Sequence, residues 1–293
     1  MNPLPGSDSG TDLSSVPFFP QTGFQCGPAA LATVLVHDGV QVTPEVLADD
    51  VYLPRGYGSL QAELIGATRR HGRIPYRIGS LEQIRAALDA GKPVLVLQRV
   101  RNWLLPQWHY AVVVGWDRNH DRLTLRSGKQ RRLEMTLDAF ERTWNPGDRW
   151  AFVVLNPGDL PGFVTANDYL AALAGAEPVL SPGQVVSAYR AATRRWPGSP
   201  AAHFGLGNAL YRAGWPEQAE AAWRGALAEN PAHAGAGNNL AEAMFEAGRP
   251  EAALALLDSL LSGTLSPEAL RPQLLRTRAR IVAGMASASP AAR

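Results

Sequence analysis

Apolar positions recur with two different rhythms along this chain, and the change from one to the other sets the expected architecture. Up to about residue 158, helical and strand periods occur side by side. PAALATVLVHDG (28–39), PEVLADDVY (44–52), SLQAELIGATRRHG (59–72) and SLEQIRAALDAGK (80–92) read as helices. Each begins at Pro or Ser, and three of the four end at or near Gly, the usual punctuation of helix ends. PVLVLQRV (93–100), HYAVVVGW (109–116), DRLTLRSG (121–128) and RWAFVVLN (149–156) read as strands. DRNHD (117–121) joins the second strand to the third, which predicts an antiparallel hairpin. Helices first and sheet later imply an α+β domain.

From about residue 164 the strand pattern gives way to alanine-rich helix, and a repeat emerges. Pro197 and Pro231 are 34 residues apart. Between them Leu206, Gly207, Gly214, Ala219, Trp223 and Ala226 fall at the offsets of a tetratricopeptide repeat, which the segment resembles. Leu240, Ala241, Gly248, Ala253, Leu257 and Leu260 repeat those offsets. Small residues let paired helices approach, while large ones fill the neighbouring groove. An earlier unit ending in VVSAYRAATRRWPG matches only in its second helix, and capping helices are expected near 267–284. The resemblance implies an all-α solenoid with a concave surface suited to a protein partner; a packed helical appendage without a ligand is the alternative.

Composition adds exclusions. The chain has 293 residues, 46% of them hydrophobic and 18% charged, with a net charge of +2. Splitting it near residue 163 leaves about one positive charge on each half, which argues against a nucleic-acid partner. Arg126, Lys129, Arg131 and Arg132 form one basic cluster, read as a solvated hairpin rim or as a docking patch for an acidic segment. No apolar run reaches the ~18 residues of a membrane span. MNPLPGSDSGTDLSS lacks the cationic and apolar regions of a signal peptide. As written, the expectation is a cytoplasmic chain; export would require a signal upstream.

The single cysteine, Cys26, stands at the doorstep of an apolar helix, in FFPQTGFQCGPAALATVL (18–35). One cysteine excludes an internal disulfide and a multi-cysteine metal site, and no cofactor is implied. With the helix starting at Pro28, Cys26 falls at or just before the N-cap, where unsatisfied N–H groups and the helix dipole favour a thiolate. Gln21, five residues upstream, can aim an amide N–H at the space served by the Cys26 N–H, forming an oxyanion hole. Gln25 is a second candidate for that donor. Of six histidines, His37 is ~16 Å along the same helix. His71 reads as a helix C-cap, His120 lies in the hairpin turn, and His203 and His233 belong to the repeats. His109, at the mouth of a strand, remains as the base; a packed core imidazole is the competing reading. Trp103, Trp108 and Tyr110 read equally as cleft wall or as core.

Gln-(x)4-Cys-Gly-Pro-Ala-Ala-Leu followed by His-Tyr-Ala-Val-Val-Val-Gly-Trp-Asp resembles the papain-like peptidase domain of the bacteriocin-processing, double-glycine-cleaving family and its stand-alone relatives. The resemblance covers 16–158. It implies Cys26 as nucleophile, His109 as base, Gln21 as oxyanion donor, and an acid after the next strand to orient the histidine. Here Ser-Gly replaces the expected Asp-Pro, so that position falls on Ser127. A hydroxyl can fix the imidazole tautomer but brings no charge to stabilise the imidazolium. Gln21 also lies one residue closer to the cysteine than in better-known members.

The organisation expected is therefore a flexible segment (1–15), a papain-like cysteine peptidase domain (16–158), a linker (159–165), a tetratricopeptide-repeat domain (166–285) and a disordered tail (286–293). The function expected is thiol-dependent peptide-bond hydrolysis, after small residues such as Gly-Gly, with the repeats docking a substrate or partner. The alternatives are a catalytically weak or silent adaptor, and acyl transfer or amide hydrolysis by the same thiol. No G-x-x-x-x-G-K-[ST] motif is present, so the chain as written is not a peptidase-containing exporter.

Overall fold

The computed structural model describes residues 10–21, 26–51, 59–101 and 106–288. Gln25 and Trp103, both singled out from the sequence, lie outside the described residues, as do the first nine and last five. The chain divides into two compact units, residues 1–180 and 181–293.

In the first unit the elements are β1 (Thr11–Asp12), α1 (Cys26–His37), α2 (Pro44–Val51), α3 (Gln61–Arg70), β2 (Ile74–Ile78), α4 (Leu81–Asp89), β3 (Val94–Arg101), β4 (Pro106–Asp117), β5 (Arg122–Ser127), β6 (Gln130–Thr136), α5 (Leu137–Trp144), β7 (Ala151–Leu155) and α6 (Ala166–Ala176). The main sheet order is β2-β7-β3-β4-β5-β6, antiparallel throughout, and β1 pairs with β4 through Thr11↔Trp116 and Asp12↔Gly115. β4 and β5 form the expected hairpin. Helix α1 is buried continuously from Gly27 to Leu35, as an all-apolar helix must be. It packs on the sheet face presented by Leu95, Leu97, Tyr110, Val112, Val114, Phe152 and Val154.

Several expected boundaries move. Residues 11–15 are not a flexible lead: Leu13 N–H donates to the Val114 carbonyl, and Arg126 donates to the carbonyls of Ser14 and Val16. Arg126 therefore leaves the basic rim; it is buried and its guanidinium is spent on main-chain oxygens. Arg132, by contrast, is on the surface and pairs with Asp12 and Glu134. The segment 159–165 is built into the first unit. Asp159 pairs with Lys92 at 2.6 Å, and the Thr165 N–H donates to the Tyr76 hydroxyl. α6, expected to open the repeat domain, packs on β2 in this same unit.

The second unit runs α7 (Pro182–Arg195), α8 (Pro200–Arg212), α9 (Pro216–Glu229), α10 (Ala234–Glu246), α11 (Pro250–Leu261) and α12 (Arg271–Ala288). The pairs α8/α9 and α10/α11 are the two repeats. α7 is the surviving second helix of the degenerate one. Ser181 caps α7 in a reciprocal box with Gln184, and Ser199 caps α8, each followed by Pro at the first helical position. Gly207 shows why a small residue recurs: a Cβ there would sit 2.4 Å from the Trp223 indole. That indole is buried and donates to the Asn208 side chain at 3.1 Å. α12 continues through Ala288, past the start of the expected tail.

Candidate active site

The site is assembled where α1 meets the open part of β4. α1 begins at Cys26, two residues earlier than its Pro28 signal implies, so the thiol sits in the first helical turn rather than at the cap. Either register leaves the first N–H groups without intrahelical partners. Gly27 is required at the next position. A Cβ there would lie 2.5 Å from Ser59 Oγ and 2.7 Å from Ser59 Cβ. Ser59 reads in sequence as the cap of α3, but Leu60 takes that position without a side-chain bond, and the Ser59 hydroxyl is buried against Gly27 without a partner.

β4 supplies the opposite side. Its pairing with β5 ends at Val112↔Arg126. Beyond that point the edge of β4 is met by side chains instead of a strand. The N–H of Tyr110 bears on the Cys26 sulfur, and the Tyr110 carbonyl accepts from Gln21 Nε2 at 3.5 Å. A strand residue presents its N–H and C=O to the same edge, so the thiol and the Gln21 amide are neighbours there. Gln21 is buried and doubly tied to the turn after β5. Its Oε1 accepts from Gly128 N–H at 3.1 Å, and its own N–H donates to the Gly128 carbonyl at 3.0 Å.

His109 precedes Tyr110, and its side chain alternates to the other face of the strand. There its Nε2 meets Ser127 Oγ at 3.0 Å. The structure thus gathers Cys26, Gln21, His109 and Ser127 around one dipeptide, His109–Tyr110. Tyr110 belongs to the core: it is 4% exposed, its ring stacks edge-on against Trp150, and its hydroxyl donates to the Ser59 carbonyl. Trp108 is 49% exposed. The remaining histidines lie elsewhere. His71 is the C-cap of α3, His37 ends α1 against the Gly91 carbonyl, and His120 pairs with Asp117 in the exposed turn. In the second unit, His203 meets the Pro197 carbonyl and His233 caps α10.

Burial dominates the electrostatics. It pushes the Cys26 thiol above its ordinary 9.0, against the opposing hydrogen bonds from the N–H groups of Tyr110, Gly27 and Cys26 itself. It pulls His109 below its ordinary 6.5. Tyr110 is also raised, by burial and then by the neighbouring sulfur. Both members of the Cys–His set are therefore held toward their neutral forms. Among the described residues, no three His, Cys, Asp or Glu side chains group as a metal site would require.

Residues 13–149 match the family model described as "Peptidase_C39 like family". Residues 13–149 form a C39-like peptidase domain. Two tetratricopeptide-repeat models match 186–214 and 216–269, so the second unit is a tetratricopeptide-repeat domain. Solved structures similar to parts of the chain include a Bacillus anthracis protein described as C39-like, at 18% identity and TM-score 0.45, covering 51% of this chain and 98% of that one. The peptidase domain of Streptococcus ComA, a bi-functional ABC transporter, matches at 21% identity and TM-score 0.40, covering 48% and 98%. A tetratricopeptide-repeat protein of Thermus thermophilus matches at 23% identity and TM-score 0.30, covering 41% and 60%. No curated protein matches the chain.

What sequence reasoning missed in the C39-like domain is main-chain chemistry. The Tyr110 N–H and the Gly128 peptide carry no sequence signal, because any residue supplies them. The Ser59 hydroxyl was readable only as a helix start.

Proposed function

We propose that the C39-like domain is a thiol peptidase in which Cys26 attacks the peptide carbonyl and His109 moves the proton. The observation that carries this reading is the 3.0 Å contact between His109 Nε2 and Ser127 Oγ, one residue away from the N–H that bears on the sulfur. With Nε2 committed to Ser127, Nδ1 is the nitrogen left for the thiol. Because burial favours neutral thiol and neutral imidazole, the proton passes from Sγ to Nδ1 as sulfur attacks, rather than being transferred beforehand. The oxyanion then receives the Cys26 N–H and the second N–H of the Gln21 amide. His109 returns its proton to the leaving amine, and water resolves the thioester.

Ser127 orients the ring and fixes its tautomer without adding charge, so the imidazolium is stabilised less than it would be by a carboxylate. The family resemblance supports small residues such as Gly-Gly on the acyl side of the scissile bond. The repeats of the second unit would hold a protein partner or a distal part of the substrate, raising its local concentration at the thiol.

A second reading has its own observation. The serine at the acid position, together with a thiol held above its ordinary pKa, suits a silent adaptor whose repeats carry the function. Mass spectrometry of a proteome-derived peptide pool separates the two. The peptidase reading requires new peptide termini with the wild-type chain that are absent with Cys26→Ala and with His109→Ala. Identical pools from all three proteins leave the adaptor.

A further inference from the structure

The fold neutralises only part of the basic cluster that the sequence presents on the β5–β6 hairpin. Residues 122–134 carry five cations, Arg122, Arg126, Lys129, Arg131 and Arg132, and one carboxylate, Glu134. Arg122 faces Glu134, and Arg132 is shared between Glu134 and Asp12. Arg126 is buried with its donors on the carbonyls of Ser14, Val16 and Arg131, which satisfy its hydrogen bonds but leave its charge unopposed. Burial, and then the neighbouring Arg131, pull Arg126 below its ordinary pKa. Lys129 and Arg131 themselves are exposed, and neither has an acidic partner among the described residues.

This excess charge lies beside the candidate active site. Ser127 pairs with Gln130, so Gly128 and Lys129 form the two-residue turn between β5 and β6, with Gly128 at φ +58°. Ser127 meets His109 Nε2 at 3.0 Å, and Gly128 exchanges two hydrogen bonds with Gln21. Lys129 therefore follows directly on the residues that hold the candidate base and oxyanion donor. Two residues span at most about 7 Å, so the Lys129 backbone stays that close to Ser127. In the proposed reaction His109 hands its proton to the leaving amine, which puts this turn on the leaving side of the peptide bond. A segment extended from that amine at ~3.3 Å per residue comes level with the turn two or three residues beyond the scissile bond.

We propose that Lys129 and Arg131 form a carboxylate-recognising subsite on the leaving side of the C39-like domain, taking an anionic group two or three residues after the scissile bond. The inference rests on the thiol-peptidase reading for which side of that bond faces the turn, but the binding of a carboxylate there does not. The carboxylate comes from an Asp or Glu side chain or from the C-terminus of a short substrate, since both offer the same charge and acceptor oxygens. A guanidinium grips such a group through two parallel hydrogen bonds, and an ammonium adds a point charge. The pair gives the domain a selectivity that the thiol, base and oxyanion donors lack, because those read only the peptide group. The unopposed charge also draws an acidic segment toward the thiol before it docks.

The test uses the full chain with Cys26→Ala, so that binding is read without turnover. Three synthetic peptides share acetyl-Ala-Gly-Gly-Ala and differ after it: Asp-Ala-amide, Asn-Ala-amide, and Ala with a free carboxylate. Calorimetry at low salt is expected to show the two carboxylate peptides binding about fivefold more tightly than the Asn peptide. A gain for the Asp peptide alone assigns the subsite to a side chain, and a gain for the free carboxylate alone to a chain end; either supports it. The preference should vanish with Lys129→Gln and Arg131→Gln combined, and in 1 M salt, where the Debye length is about 3 Å. Unfolding temperature should not move, because both side chains are exposed. Arg122→Gln, at the far end of β5, should leave the preference intact. Equal affinities for the three peptides overturn the proposal. So does a preference that survives the double substitution, or one that falls as much with Arg122→Gln, since that marks bulk charge. A preference that depends on positions 129 and 131, with no cleavage of these peptides by the wild-type chain, would support the subsite while removing the peptidase reading. Cleavage of all three with equal affinities would do the reverse.

Discussion

The imidazole of His109 and the hydroxyl of Ser127 meet at 3.0 Å across the β4–β5 hairpin, 18 residues apart in the chain. In the proposed peptidase mechanism this contact orients the imidazole in place of a carboxylate. Two substitutions separate its orienting and electrostatic parts. Ser127→Ala leaves the ring unanchored and should lower kcat/KM about tenfold. Ser127→Asp adds an adjacent negative charge, which raises an imidazole pKa by one unit or more and stabilises the imidazolium correspondingly. Acylation should then accelerate about tenfold, and iodoacetamide should label Cys26 faster at pH 6 to 7 than in the wild-type chain. Steady-state kinetics and timed labelling read both.

The pH dependence follows from the two burial shifts. His109 acts as a base only when neutral, and its pKa lies below 6.5, so the acid limb of kcat/KM should fall below pH 6.5. Cys26 stays a thiol through neutrality because its pKa lies above 9.0. Stability follows the same signs. The unfolded chain binds the His109 proton more readily, so the contribution of that group is lost as pH falls below 6.5. The folded chain retains the Cys26 proton longer, so its contribution is lost as pH rises above 9.0. Urea midpoints measured across pH 5 to 10 should show both declines, and His109→Ala should remove the first.

Gln21 has a structural half and a chemical half. Its Oε1 accepts from Gly128, while its Nε2 faces the Tyr110 carbonyl and the thiol edge. Gln21→Glu keeps the acceptor and deletes the donor. Removing one oxyanion donor costs about 100-fold or more in kcat, so a loss of that size with KM little changed is the expected kinetic result.

Gly27 and Ser59 are coupled by a contact too tight for a methyl group. Gly27→Ala should destabilise the chain by about 1–3 kcal/mol through overpacking and slow acylation of Cys26 by shifting the first turn of α1. Adding Ser59→Gly removes both clashing atoms and should restore much of each loss. A thermal melt and an acylation rate on the single and double variants make the comparison.

The sequence carried the parts of this fold that depend on apolar rhythm. α1, α4 and the strands β3, β4, β5 and β7 emerge close to their expected positions because each buries a regular face. β6 was not legible: QRRLEMT is an edge strand whose charges face solvent, with no apolar run to mark it. β2 was hidden by Pro75, which an edge strand tolerates and a central one does not. α5 was overlooked although Leu137, Phe140 and Trp144 keep helical spacing behind the cap Thr136. For the candidate site, Cys26, His109, Gln21 and Ser127 were nameable as side chains at motif positions. Their junction was not, since it runs through the peptide groups of Tyr110 and Gly128. The burial of Arg126 was equally invisible, because its partners are carbonyl oxygens.

The proposed mechanism requires Cys26 and His109 to act as one unit, and a chemical acyl donor tests this without knowledge of the natural substrate. The p-nitrophenyl ester of N-acetylglycine would be mixed with the full chain at pH 7.5 and followed by intact mass and peptide mapping. A single acyl adduct on Cys26, absent in Cys26→Ala and formed at least tenfold more slowly in His109→Ala, is the predicted result. An adduct that forms at Cys26 just as fast without the imidazole would contradict it.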